Sequence, residues 1–165
     1  MGGERVFKVL IADDDENLRE LLTESVRDWG YKTEIAMDGR EALKKFQAGN
    51  FDIVICDIKM PGLDGLKLIE KLKEHDKDIL VIVITGYASL ESAIKAIEAG
   101  AYDYLAKPFR LDELMVIMKN ASELLCLAAR NRELREELNK AYGELDSLKS
   151  TLSRGGVAPQ SENEE

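Results

Sequence analysis

Acidic residues stand where this chain could do chemistry. Asp13, Asp14 and Asp15 close one short apolar run, and Asp57 closes another. Thr85 follows a third such run and Lys107 a fourth. Three or four carboxylates sharing one crevice repel one another, so some must hold protons or a cation must sit among them. Hard oxygen donors without His or Cys favour Mg2+, with Mn2+ as a substitute, over zinc. A metal, a lysine for negative oxygens, a hydroxyl donor and one carboxylate placed as a nucleophile describe phosphoryl transfer to an aspartate. Taken singly, each residue has a plainer use. Asp14 or Asp15 alone would cap a helix, Lys107 alone would be a solvated surface lysine, and Thr85 alone a turn residue. The weight lies in the coincidence, because separate strand ends supply complementary groups to one place.

A parallel α/β sheet can bring those strand ends together, since it binds ligands at the carboxyl ends of its strands. The pattern predicts such a sheet. Val6 to Ala12 is a strand-like run, and Asn17 to Trp29 is amphipathic, with Leu18, Leu21, Leu22 and Val26 at helical spacing. The unit recurs as Lys32 to Ala36 with Gly39 to Ala48, Ile53 to Cys56 with Gly65 to Lys73, and Ile79 to Ile84 with Leu90 to Ala99. Tyr102 to Ala106, followed by a helix from about Leu111, completes five β-α units over residues 6–125. The runs around Leu10, Val54 and Ile82 are almost wholly apolar, as central strands covered on both faces must be. The expected fold is a three-layer, doubly wound α/β sandwich. Gly30, Gly49, Gly62, Gly65 and Gly100 fall between the periodic segments, where caps and turns belong.

Four ordered motifs stand out: Leu10-Ile11-Ala12-Asp13-Asp14-Asp15, Asp57-Ile58-Lys59-Met60-Pro61-Gly62-Leu63-Asp64-Gly65, Ile84-Thr85-Gly86-Tyr87, and Gly100-Ala101-Tyr102-Asp103-Tyr104-Leu105-Ala106-Lys107-Pro108-Phe109. In these motifs the chain resembles the receiver domain of two-component response regulators. The resemblance implies a flavodoxin-like (βα)5 sheet. It also implies that Asp57 is the phosphoacceptor, served by a sensor histidine kinase or a phosphotransfer protein. Asp14, Asp57 and the backbone carbonyl of Lys59 would bind Mg2+, and Asp13 would act on it through water. Thr85 and Lys107 would each meet a phosphoryl oxygen, Tyr104 would be an aromatic switch responding to Thr85, and Lys107-Pro108 would be a cis peptide. Gly86 is expected to keep the phosphoryl site open. The wording of the last motif and the long helix after it resemble receivers of ATPase-type transcription activators, so the chain could be the regulatory piece of a longer protein.

Two rival functions use related sheets. An aspartate-nucleophile, Mg2+-dependent phosphohydrolase would use Asp13-x-Asp15 but leaves Asp57 and Lys107-Pro108 unexplained. A flavin carrier would place its phosphate against an acidic loop. The balance of 23 Lys+Arg against 32 Asp+Glu, net charge -9, opposes direct nucleic-acid binding. The two cysteines, Cys56 and Cys126, make no disulfide framework, and neither a signal peptide nor a membrane span is evident, so a cytoplasmic setting is expected. Cys56 belongs to an apolar strand and reads as a buried, inert thiol. His75, amid charged neighbours, reads as a surface residue.

Residues 126–152 are expected to extend the fifth helix as a coiled coil, and residues 153–165 to form a disordered acidic tail. A domain of this size is roughly 35 Å across, whereas a helix from Asp112 to Leu152 is about 60 Å long. With Leu124 at position a, the a and d places read Leu124, Leu127, Asn131, Leu134, Leu138, Ala141, Leu145, Leu148 and Leu152. That seam predicts a parallel homodimer, with Asn131 fixing register at some cost in stability. Arg130 facing Arg135 of a second copy opposes the arrangement, and Glu144 facing Lys149 favours it.

Overall fold

The computed structural model describes residues 5–156. Through residue 123 the chain forms one compact unit. Its strands are β1 (Lys8–Ala12), β2 (Lys32–Ala36), β3 (Ile53–Cys56), β4 (Leu80–Thr85) and β5 (Asp103–Ala106). The helices between them are α1 (Glu16–Asp28), α2 (Gly39–Ala48), α3 (Gly65–His75) and α4 (Leu90–Ala99), and α5 (Leu111–Arg154) follows β5. All five strands are parallel, in the order β2-β1-β3-β4-β5. The expected doubly wound sheet is therefore present.

Every residue of β3 and β4 is buried. Leu10, Val54, Val81 and Val83 share one core with Ala42 and Phe46 of α2, Leu68, Ile69 and Leu72 of α3, and Ala96 of α4. Strand alternation sends Val9, Ile11, Ile53, Ile55, Ile82 and Ile84 to the opposite face, where they are also buried. That burial on both faces explains why these strands carry no alternation of apolar and polar residues.

Several element ends shift by a residue or two from the sequence reading, β4 running Leu80–Thr85 and β5 Asp103–Ala106 among them. Strand β1 begins at Lys8, where pairing with Lys32 begins, and Val6 before it is exposed. The inward stripe of α1 is Arg19, Leu22 and Val26, whereas Leu21 is exposed. His75 is the last residue of α3, exposed but with its ring edge-on to Phe46, 5.7 Å between centroids. Helix α5 takes in Ser153 and Arg154, which had been assigned to the tail. The remainder of that tail, residues 157–165, lies outside the described residues.

Leu114, Met118 and Ala121 of α5 are buried in the first unit. Tyr31 bonds to Ser122 Oγ at 2.6 Å and donates to the Met118 carbonyl at 3.2 Å. The second unit starts at Leu124 and is helical to Arg154. Its leucines at 127, 134, 138, 145, 148 and 152 are all exposed. Among the described residues no helix is long and apolar enough to cross a membrane.

Candidate functional site

Strand register sets the site. Ala12 stands level with Cys56, and the Asp57 N–H donates to the Ala12 carbonyl at 3.2 Å, so Asp13 and Asp57 leave adjacent strands side by side. Thr85 pairs with Ala106, and the Lys107 N–H donates to the Thr85 carbonyl at 2.9 Å. Side chains far apart in sequence thus converge without any of them being free to choose its place.

The three acids after β1 have three different environments. Asp13 is buried, and its Oδ1 accepts from the Asp15 N–H at 2.9 Å. Asp14 is exposed. Asp15 caps α1, accepting from the N–H groups of Asn17 at 3.0 Å and Leu18 at 3.3 Å. This is ordinary N-cap chemistry. It takes Asp15 out of the cluster and removes the Asp-x-Asp pair that a phosphohydrolase reading needs.

Asp57 is buried, and Oδ1 accepts from the Lys59 N–H at 3.2 Å. Behind it, the Gly65 N–H donates to the Ile58 carbonyl at 2.7 Å. A Cβ at Gly65 would collide with the Asp57 carbonyl oxygen, so only glycine lets α3 begin this close to the Asp57 backbone. The sequence reading treated Gly65 as a turn residue; the close approach is the stronger constraint. Gly86 faces no such backbone clash, since a Cβ there would meet only the Lys107 side chain, at 4.0 Å.

Lys107 unites the cluster. Its Nζ lies 2.8 Å from Asp57 Oδ2 and 3.1 Å from Asp13 Oδ2. Burial alone would lower the Lys107 pKa, but the hydrogen bonds that Lys107 donates to Asp57 and Asp13 outweigh it and raise the value. Asp13 is pushed above the usual carboxylate range chiefly by desolvation, opposed by the Asp15 N–H and by Lys107. Cys56, wholly enclosed beside these carboxylates, is pushed up to about 12 by burial and then by their charge. It is an inert thiol, as expected.

One carboxylate oxygen each from Asp13, Asp14 and Asp57 can lie within 4.8 Å of one another. The donor set is all oxygen and strongly anionic, which fits a hard divalent cation. Asp14 and Asp57 line an open cleft of about 500 Å³ with Lys59, Met60, Pro61, Asp64 and Tyr87. Across it, the Lys59 ammonium sits 3.8 Å from the centre of the Tyr87 ring. Thr85 is fully buried, and its Oγ1 accepts from the Tyr87 N–H at 3.2 Å. Tyr104 is half-buried against the core, with its hydroxyl 2.7 Å from Ser92 Oγ on α4. The Lys107-Pro108 peptide is cis.

A five-stranded parallel sheet with a carboxylate–lysine crevice at its strand ends defines a small phosphoryl-transfer signalling domain. Residues 9–119 match the family model of the response regulator receiver domain, and the chain belongs to that family. It is a receiver domain of two-component signalling, and receiver domains of response regulators interact with histidine kinases. The chain is 37% identical over 83% of its length to the regulatory protein AtoC of Escherichia coli, and spans 30% of that protein. It is 38% identical over 81% of its length to the C4-dicarboxylate transport transcriptional regulatory protein DctD of Rhizobium meliloti, spanning 29% of it. The solved structure of NtrX from Brucella abortus superposes with a TM-score of 0.73 at 32% identity, covering 79% of this chain and 30% of that one. A receiver domain from Methanospirillum hungatei gives 0.70 at 32% identity, covering 72% and 95%.

Proposed function

We propose that Asp57 accepts a phosphoryl group from a phosphohistidine on a sensor histidine kinase or phosphotransfer protein. The observation that carries this reading is the pair of contacts from Lys107 Nζ to Asp57 Oδ2 at 2.8 Å and to Asp13 Oδ2 at 3.1 Å. A cation is thereby held against the one buried carboxylate that also opens onto the cleft.

An Asp57 oxygen attacks phosphorus, the bond from phosphorus to the imidazole nitrogen breaks, and the nitrogen keeps the electron pair. The product is a mixed carboxyl–phosphoryl anhydride. Such a transfer asks chiefly for alignment and charge neutralisation. Asp14, Asp57 and the Lys59 carbonyl would hold Mg2+ or Mn2+, with Asp13 acting through water, and the ion would supply positive charge to the transferring oxygens. Lys107 follows the negative charge from the Asp57 oxygen onto the phosphoryl group. The Thr85 hydroxyl, an acceptor from Tyr87, keeps its own proton to donate to a phosphoryl oxygen. Tyr104, tied to α4 through Ser92, is the aromatic group that would respond if Thr85 shifts toward the phosphoryl group.

Incubation with acetyl phosphate and Mg2+ is the direct test. Intact mass is expected to show one added phosphoryl group, which does not form when the metal is chelated beforehand or in Asp57→Asn; the same adduct in Asp57→Asn would exclude this acceptor. Asp14→Ala is expected to weaken Mg2+ binding and slow the reaction. Lys107→Ala is expected to leave metal binding and abolish the conformational response.

The exposed leucines of the second unit support a further part of the proposal, a parallel coiled-coil homodimer in the cytoplasm. The chain spans about 30% of the curated relatives it matches, which supports a role as the regulatory piece of a longer transcription activator.

A further inference from the structure

Arg19 is only 8% exposed, yet no carboxylate pairs with its guanidinium among the described residues. One nitrogen, NH1, donates to the Asp13 backbone carbonyl at 2.8 Å. Its Nε is buried and meets no partner. Burying an unpaired cation costs stability, and an unsatisfied buried donor calls for a reason.

The reason lies in what NH1 holds. The Asp13 carbonyl belongs to the peptide that leads into Asp14, so the bond from Arg19 fixes the plane from which the Asp14 side chain departs. Asp14 has no other restraint of this kind. Its carboxylate makes no hydrogen bond or ion pair among the described residues, whereas Asp13 has Asp15 and Lys107, Asp15 has Asn17 and Leu18, and Asp57 has Lys59 and Lys107. The remaining tie on this loop, from the Asp13 N–H to the Ala36 carbonyl, is long at 3.3 Å. Arg19 is itself anchored at the start of α1, its N–H donating to the Asp15 carbonyl at 2.9 Å.

We infer that Arg19 is a positioning residue for the divalent cation, presetting Asp14 through the Asp13–Asp14 peptide. The inference rests on the reading that Asp14 and Asp57 hold Mg2+. The guanidinium acts through the Asp13 carbonyl and not through a carboxylate of the cluster; it removes freedom from a ligand that otherwise has to be ordered on binding. Groups standing behind metal ligands commonly change affinity by about 10–100-fold when removed.

Calorimetric titration of the full chain with Mg2+ alone tests this. Arg19→Met is expected to raise the Mg2+ dissociation constant at least tenfold, and Arg19→Lys, which keeps a donor in reach of the Asp13 carbonyl, to recover most of the loss. Phosphorylation of Arg19→Met by acetyl phosphate is expected to be slow at low Mg2+ and to approach the wild-type rate at saturating Mg2+. A merely structural role would lower the thermal midpoint in chelator and leave the dissociation constant unchanged, and that result overturns the inference. Should Arg19→Met not fold, Arg19→Gln replaces it under the same criterion. A wild-type chain that binds no Mg2+ would overturn the metal reading itself, whereas equal binding by wild type and Arg19→Met overturns only the role of Arg19.

Discussion

At the scale of single residues, the flank of the acceptor governs how long a phosphoryl group would stay. Lys59 and Tyr87 lie in the same cleft as Asp57 and are held together by a cation–π contact of 3.8 Å. Such a contact is worth about 0.5–1 kcal/mol at an exposed site, enough to bias the ring toward Lys59. A lysine cannot serve as a general base for water unless its pKa falls far, and a ring held in this cleft is expected to hinder in-line approach. The phosphorylated state is therefore expected to last minutes or longer, and Tyr87→Ala to shorten it. Decay within seconds, followed by loss of the mass adduct in Mg2+ buffer, would contradict this. The reactive groups were legible in the sequence because each directly follows an apolar run, so one rule about parallel sheets places them together. Arg19 was not. A charged residue in an amphipathic helix reads as solvated, although its spacing to Leu22 and Val26 is that of the buried stripe and was the available signal.

Elements were easier to read than residues, since periodicity and glycine punctuation act over ten residues at a time. The ranges of β2, α2, β3 and α4 are those the pattern predicts. The differences fall at ends, where pairing partners and caps decide: β1 cannot begin before Lys32 is available to Lys8, and α3 continues until Asp76 donates back to Leu72 at 2.8 Å. Cap chemistry also makes a prediction at this scale. Glu41 accepts from the Met37 N–H at 2.9 Å ahead of α2, and that bond, aided by Lys45, holds its carboxyl below the ordinary 4.5. A depressed carboxylate stabilises the fold above its unfolded pKa and loses that contribution as pH falls through the folded value. Glu41→Gln is expected to cost a few tenths to about 1 kcal/mol at neutral pH. In denaturant titrations the difference from wild type is expected to shrink as the pH is lowered below 4.5.

For the whole molecule, the second unit poses the question of assembly. Leu124, Leu127, Leu134, Leu138, Leu145, Leu148 and Leu152 fall on one a/d seam and are each at least 44% exposed. A row of this length is far more apolar surface than scattered leucines, and a second copy of the same helix is the cover proposed for it. Sedimentation at micromolar concentration is expected to give a dimer for the full chain and a monomer for a version ending near Cys126. Equal monomer masses would refute the seam. The periodicity was visible in the sequence because leucine recurs at the a and d places from Leu124 to Leu152.

The order β2-β1-β3-β4-β5 also has a consequence for biosynthesis. Lys107 bonds to Asp13 from 94 residues away and to Asp57 from 50, and the strand that delivers it is both the last made and an outer edge of the sheet. A nascent chain emerging from the ribosome can carry a finished acceptor aspartate for some time before it carries the ammonium that completes the crevice. The crevice is complete only once β5 has been made and paired with β4, so a chain cut short before Lys107 lacks the ammonium that closes it.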